Sequence, residues 1–368
     1  MHHVFLCGPL CHPDLVAVIL GADVNLSPAR VADWCEMFVD APGHLALARS
    51  RGRWVDGMAL ATDSPETIAR LAFYATSIGL GRQNVVMTTA CSSQTAATYA
   101  LMPGSLQGRA WTETDWRAEH AALAVETAVE VMARFGQTPP ARLHARLGSI
   151  MVRAASRLRA RAEPAPNAVR RAPAQITVQA RRQPYAHFFS VEEYDLSFHR
   201  FDGKMSPEIT RAAFVSADAV TVLPYDPARD RVLLIEQMRA GPFARGDRNP
   251  WQLEAIAGRI DPGETPEHCA RREAVEEAGL TLGALLPVAA YYPSPGAKTE
   301  FIHSYLGLTD LPDGAAGVFG VEDEAEDIRG HLLSFEQAMA LVASGEIQNA
   351  PLLLTLFWLQ RERGALRV

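Results

Sequence analysis

Three glutamates on one short segment, Glu273, Glu276 and Glu277, have the residue type and spacing to do chemistry. They lie in the run Gly258-Arg-Ile-Asp-Pro-Gly-Glu264-Thr-Pro-Glu-His-Cys-Ala-Arg-Arg272-Glu273-Ala-Val-Glu276-Glu277-Ala-Gly279-Leu280. Thr265 suits a helix N-cap, Pro266 the first helical position and Gly279 a C-terminal stop, so the spacing predicts a helix near 266–278. Positions i, i+3 and i+4 share a helix face, which brings the three carboxylates together. Each like-charge pair costs roughly tenths of a kcal/mol on a helix surface, and more when buried. Arg272, four residues before Glu276, offsets that charge; no base stands three or four positions from Glu273 or Glu277. The face is therefore either solvated acidic surface or a site for a hard divalent cation. Mg²⁺ takes oxygen ligands and leaves positions for water and phosphate.

The loop before the helix favours the cation. The segment fits G-x5-E-x7-R-E-U-x-E-E-x-G-U at every fixed position, with Ala274 as a small member of the apolar class, and so resembles the Nudix box. The resemblance implies a loop–helix–loop within an α/β/α sandwich with a mixed sheet. It implies hydrolysis of a nucleoside diphosphate linked to another group, dependent on Mg²⁺ with Mn²⁺ as the alternative. Glu273 and Glu277 are the leading metal ligands, Glu276 is close behind, and the carbonyl of Ala257 completes the site. Glu264 and Arg272 are expected to pair and hold the loop.

Beyond the box, Tyr291-Tyr-Pro-Ser-Pro295-Gly296 places a proline 16 residues after Gly279, which resembles the ADP-ribose pyrophosphatase branch. Phe188-Phe189-Ser190, Met205-Ser-Pro-Glu-Ile-Thr-Arg211 and Leu234-Ile-Glu-Gln-Met-Arg239 look like the first half of bacterial members of that branch. By this resemblance Phe188 stacks on adenine, Arg211 and Arg239 contact the terminal ribose or the diphosphate, and Glu300 sits near a ribose. The plain alternatives are a core aromatic and surface ion pairs. In the acidic run Glu322-Asp323-Glu324-Ala-Glu326-Asp327-Ile-Arg329, Glu324 aligns best with the family's general base and Glu326 second; the plain alternative is a charged surface loop. The implied reaction converts ADP-ribose and water to AMP and ribose 5-phosphate in a homodimer that exchanges N-terminal strands of the Nudix domain. Another nucleotide sugar or dinucleotide as substrate, or a non-catalytic ligand sensor on the same fold, are the competing readings.

Around this site the composition is that of an ordinary globular protein, 48% hydrophobic and 21% charged over 368 residues, which favours two domains. Apolar runs are broken by charge within about a dozen residues, so no membrane span is expected. The first residues lack the basic start of a secretory signal, and five cysteines form no disulfide framework. A cytoplasmic protein is expected. Through Ala174 there are 17 basic and 14 acidic residues, +3; the remainder holds 18 and 28, −10, giving the net −7. That acidic second half argues against nucleic acid as its partner and for a cation and a small-molecule substrate.

From residue 175 the stretches QITVQARR, YDLSFHRF, AVTVLPYD and RVLLIEQM read as strands, and 351–363 as a terminal helix. The Arg- and Pro-containing stretch 151–174 reads as a linker, its first part able to extend a helix. Residues 1–150 read as a small α+β domain, with helices over 14–20 and 116–135. Phe5-Leu-Cys7-Gly8-Pro9-Leu10, Ala41-Pro-Gly-His44, Asp56-Gly-Met-Ala and Arg70-Leu71-Ala72-Phe73-Tyr74-Ala75 resemble the γ-glutamylcyclotransferase-like fold, a small barrel with helices. That family carries a proton-transferring glutamate where this chain has Ala75, so an inactive binding or structural module is expected. The fusion looks like tellurite-resistance-associated bacterial proteins.

Overall fold

A computed structural model describes residues 1–21, 24–38, 45–101, 111–165, 168–170, 175–320 and 327–367. The chain forms two compact units, Met1–Pro164 and Ala165–Val368.

In the first unit, strands β1 (His2–Leu6), β2 (Leu26–Phe38), β3 (Leu45–Thr62), β4 (Gly81–Thr89) and β5 (Ser93–Ala100) close into a barrel ordered β1-β3-β2-β4-β5. A short parallel pairing of Val4 with Ala97 makes the closure. Side chains alternate across each strand. Phe5, Val31, Leu47, Val55 and Met87 fill the barrel, while Val4, Leu6 and Leu60 face outward onto Leu15, Ile19 and Leu71 of the helices. Those helices include α1 (Pro13–Leu20) and α2 (Pro65–Ser77). Gly21 ends α1 at φ 67°, in the left-handed region expected of a glycine stop.

The stretch 116–135, expected as one helix, is instead α3 (Glu113–Glu119) and α4 (Ala121–Met132), broken at His120 with φ −129°. Ring contacts hold the break: Phe38 with His120 at 5.8 Å, and the buried Trp116 edge-on to His12 at 5.3 Å. After α5 (Pro140–His144), α6 runs Leu147–Ala162. The first residues of the expected 151–174 linker are thus helix, and the first unit reaches Pro164 rather than residue 150. The cause is charge. Glu126 and Glu130 of α4 are buried and need cations. Arg153 Nε donates to Glu130 at 3.1 Å, Arg157 to Glu126 at 2.7 Å and to Glu130 at 2.8 Å, and Arg161 to Glu126 at 2.6 Å. These arginines recur every four residues on one face of α6. Removing one partner of such a network strands a buried charge.

In the second unit β6 (Ile176–Ala186), β7 (Ser190–Phe198) and β8 (Ile209–Val215) form a three-stranded antiparallel sheet. The main sheet uses β9 (Ala219–Asp226), β10 (Arg231–Met238), β11 (Trp251–Glu254), β12 (Ile256–Arg259), β13 (Leu285–Tyr291), β14 (Ile302–Leu308), β15 (Val318–Phe319) and β16 (Ile328–Ser334). Its order is β13-β14-β9-β10-β16-β15, with β11 on β10 and β12 on β9. It is mixed: β14 runs parallel to β9, and β12 and β10 antiparallel. Helices α7 (Ala240–Arg245), α8 (Pro266–Ala278), α9 (Phe335–Ser344) and α10 (Ala350–Leu366) complete the unit. Strand alternation explains the layers. Val220, Val222, Leu233 and Ile235 face Cys269, Ala270 and Ala274 of α8, whereas Leu223, Tyr225, Val232 and Leu234 face Phe335, Leu352 and Leu356 of α9 and α10. The expected α/β/α sandwich is present, and the strands over 219–226 and 231–238 coincide with β9 and β10.

One half-buried acid in the barrel makes stability pH-dependent. Burial pushes the Glu36 carboxyl up to about 7; the Gly8 amide opposes the shift and Asp56 adds to it. Its Oε1 has no hydrogen-bond partner among the described residues. A carboxyl with a raised folded pKa favours the native state below its unfolded pKa, and that advantage is lost as pH climbs to the folded value. Between pH 5 and 8 this group should cost the first unit on the order of 2 kcal/mol. Urea unfolding at the two pH values should show this decline in the native chain and its removal in Glu36→Gln; an equal decline in both would refute the assignment.

Candidate active site

Helix α8 begins and ends as its sequence dictates. Thr265 Oγ1 accepts from the His268 amide at 3.2 Å, Pro266 opens the first turn, and Gly279 stops the helix at φ 62°. Its inner face is small: Cys269, Ala270, Ala274 and Ala278 are all buried. The helix therefore lies close to the sheet, and the glutamates at its edge meet the backbone of β12. Glu277, 3% exposed, accepts from the Ala257 amide at 3.0 Å. Gly258 lies against the Glu273 carboxylate, and a Cβ at 258 would overlap it. The glycine that opens the motif is thus required by close approach rather than by backbone conformation.

Arg272 organises the charges. Its Nε and Nη2 donate to the two oxygens of Glu264, each at 3.0 Å, which is the expected loop-holding pair. Nη2 also donates to the Arg259 carbonyl at 3.2 Å. Nη1 reaches Glu273 at 2.7 Å and Glu276 at 2.9 Å. The i,i+4 pairing with Glu276 is as expected, whereas Glu273, for which spacing offered no cation, shares the same guanidinium from the adjacent position. Burial alone would raise the Glu264 carboxyl, but Arg272, the Asp261 amide and His268 together hold it down at about 2. The Arg272 guanidinium is held charged well above its ordinary value, first by Glu264. One guanidinium pairs with three carboxylates, Glu264, Glu273 and Glu276, while Glu277 takes the Ala257 amide, so the acids gathered here outnumber Arg272.

Five of the sequence-derived site residues converge here: Ala257, Glu273, Glu276 and Glu277 directly, and Phe188 through its neighbour Arg259. Arg259 ends β12, and its guanidinium carbon lies 3.8 Å from the centre of the Phe188 ring. Glu300 accepts from Lys298 at 3.2 Å, and Lys298 stands 5.8 Å from the Phe214 ring. Arg211 is exposed on β8 and donates to the Thr210 carbonyl at 2.9 Å. Arg239 is oriented by Glu254, to which its Nε and Nη2 donate at 2.9 and 2.5 Å. Glu254 is buried and also takes Asn349 Nδ2 at 3.0 Å. Thr210 and Glu254, the partners of Arg211 and Arg239, lie outside the carboxylate helix. Glu324 and Glu326 lie outside the described residues.

Sequence reasoning passed over Arg259, Lys298 and Glu254. Arg259 occupies a variable position of the motif. Glu254 carried a signal: an acid closing the strand-like Trp251-Gln-Leu-Glu254 ahead of an apolar run is out of place unless a base meets it.

Comparison with known proteins agrees with this geometry. The NUDIX domain family model matches residues 215–356, within the second unit. ADP-ribose pyrophosphatase of Escherichia coli strain K12 is 42% identical over 192 residues, 52% of this chain and 91% of that protein. The ADP-ribose pyrophosphatase of Haemophilus influenzae is 36% identical over 187 residues, 50% and 86% of the two chains. GDP-mannose pyrophosphatase of Escherichia coli strain UTI89 is 32% identical over 186 residues, 50% and 95% of the two chains. Relatives matched over nearly their whole length, and a carboxylate helix whose every fixed position has a structural task, make this chain a member of the Nudix hydrolase family.

Proposed function

We propose that the chain hydrolyses the diphosphate linkage of ADP-ribose, with water supplying the second hydroxyl, to give AMP and ribose 5-phosphate. The observation that carries the reading is the seating of Glu273 and Glu277 against the backbone of Ala257 and Gly258. The donor set suits a hard divalent cation: all oxygen, anionic, and gathered where a side chain at 258 would intrude. Glu273, Glu276, Glu277 and the Ala257 carbonyl would hold Mg²⁺, with Mn²⁺ as the alternative. When bound, the cation would shield the diphosphate and favour departure of a phosphate oxygen.

The chain's own residues do the rest. Arg272 fixes the loop through Glu264 and keeps Glu273 and Glu276 oriented. Phe188 offers its ring to adenine, Arg211 and Arg239 supply planar donors to phosphate or ribose oxygens, and Glu300 accepts from a ribose hydroxyl. Glu324 takes the proton of the attacking water, with Glu326 as the alternate base. A second reading, a different nucleotide sugar such as GDP-mannose, is favoured by the 32% identity to GDP-mannose pyrophosphatase.

The proposal extends to assembly and to the first unit. The sheet β6–β8 exposes Ile176, Val178, Tyr185 and Phe198, which supports a homodimer built by exchange or pairing of these strands. The closed barrel supports a γ-glutamylcyclotransferase-like fold, and the fully buried Ala75, where that family has its acid, supports a module without cyclotransferase chemistry. The fusion is similar to tellurite-resistance-associated bacterial proteins, and a cytoplasmic site of action is in keeping with the free cysteines, Cys7, Cys11, Cys35, Cys91 and Cys269.

Two experiments test the reading. Glu277→Gln keeps an amide oxygen for the Ala257 N–H and removes the charge. AMP release from ADP-ribose with Mg²⁺ should fall roughly 100-fold or more, since even outer-shell partners of a metal ligand are worth 10–100-fold. Near-native activity in a folded variant would overturn the metal assignment. Deleting residues 1–164 should leave a folded hydrolase with kcat/KM within about threefold of the full chain, as expected of separate domains. A folded but inactive fragment would show that the first unit serves the reaction.

A further inference from the structure

The cation over Phe188 is not among the residues that the motif or the resemblance assigns. Arg259 is fixed at its backbone from several sides. Its strand position pairs with Ala219, and its carbonyl accepts from Arg272 Nη2 at 3.2 Å and from the Cys269 thiol at 3.3 Å. The same α8 residues that hold the carboxylates thus fix the point from which the Arg259 side chain departs. That side chain crosses to the small sheet and covers one face of Phe188 at 3.8 Å. The ring's edge meets Phe189 at 4.8 Å and 87°, and Phe189 lies 4.7 Å from Phe214, over which Lys298 stands. Phe188 nonetheless keeps 54% of its surface exposed.

We infer that Arg259 is a positioning residue for the nucleobase: it clamps one face of Phe188 so that the opposite face is held ready for an adenine ring. The inference rests on the reading of Phe188 as the base platform. An exposed phenylalanine alone would sample several orientations and lose that freedom on binding. A guanidinium stacked on it removes the freedom beforehand, and preorganisation of this kind raises affinity without a new ligand contact. Because Arg259 follows Gly258, the clamp also sets the base platform at a fixed remove from the Glu273 carboxylate. Base recognition and diphosphate chemistry are thereby coupled through two consecutive residues.

The test uses the full-length chain with Mg²⁺ and the two reaction products as separate probes in calorimetry. Arg259→Ala should weaken AMP about fivefold, the size of one partly exposed cation–aromatic contact, and leave ribose 5-phosphate unchanged. Arg259→Lys should recover part of the loss. In a Phe188→Ala background the Arg259→Ala change should add nothing, since the two act as one unit. In turnover the loss should fall on KM for ADP-ribose rather than on kcat. Equal weakening of AMP and ribose 5-phosphate would overturn the inference, because Arg259 would then be a phosphate contact. So would AMP binding that is weakened by Phe188→Ala but not by Arg259→Ala. If the native chain neither binds AMP nor cleaves ADP-ribose, the proposed function fails instead, and the two failures are told apart by the native protein alone.

Discussion

How closely α8 can approach β12 constrains everything else in the second unit. Small residues on the inner face of α8 and the missing Cβ of Gly258 set the separation, and at that separation Glu277 reaches the Ala257 amide while Glu273 lies on Gly258. An alanine at 274 replaced by a larger apolar residue would push the helix outward, and any side chain at 258 would displace the Glu273 carboxylate. The carboxylates would lose the backbone that orients them, and a misplacement of about 1 Å is enough to cost a site much of its rate. The mixed sheet and its two helical layers serve to hold this one approach rigid from both faces.

Most of this was legible in the residues. The cap, proline and glycine stop of α8 fixed its limits because each acts locally: Thr265 on an amide three residues on, Gly279 through its own dihedral. The strands β9 and β10 were legible because branched residues run on both faces, as in a sheet covered twice. What escaped was tertiary. The break at His120 depends on Trp116 and Phe38 packing against rings from elsewhere in the chain, which no helical periodicity records. The helix α6 was partly hidden by the prolines after it; its arginines at 153, 157 and 161 looked like a solvated connector until Glu126 and Glu130 stood opposite. The Arg259–Phe188 contact joins residues 71 positions apart and has no local signature.

The two units place buried charge in different ways. In the first, the acids of α4 are matched by arginines of α6, so the network is near neutral and its effect is to lock two helices in register. In the second, Glu264, Glu273 and Glu276 share Arg272, and these acids outnumber the guanidinium that holds them. A structural ion pair tends to close its charge; a site for a cation and a polyanionic substrate must leave charge unbalanced. The contrast within one chain separates scaffold from chemistry more sharply than burial does, since both groups of acids include side chains almost fully removed from water.

The same contrast explains why Arg272 and Arg259, so near each other, do different work. Arg272 spends its donors on Glu264, Glu273 and Glu276, and its held charge lets the loop tolerate the acids beside it. Arg259 is anchored by its carbonyl to that same Arg272, and its own guanidinium lies over the Phe188 ring. Turned toward Phe188, it lends its plane to that aromatic ring. The geometry therefore divides one basic pair between holding the acids and holding the aromatic, and the carbonyl of Arg259 is the joint between those tasks.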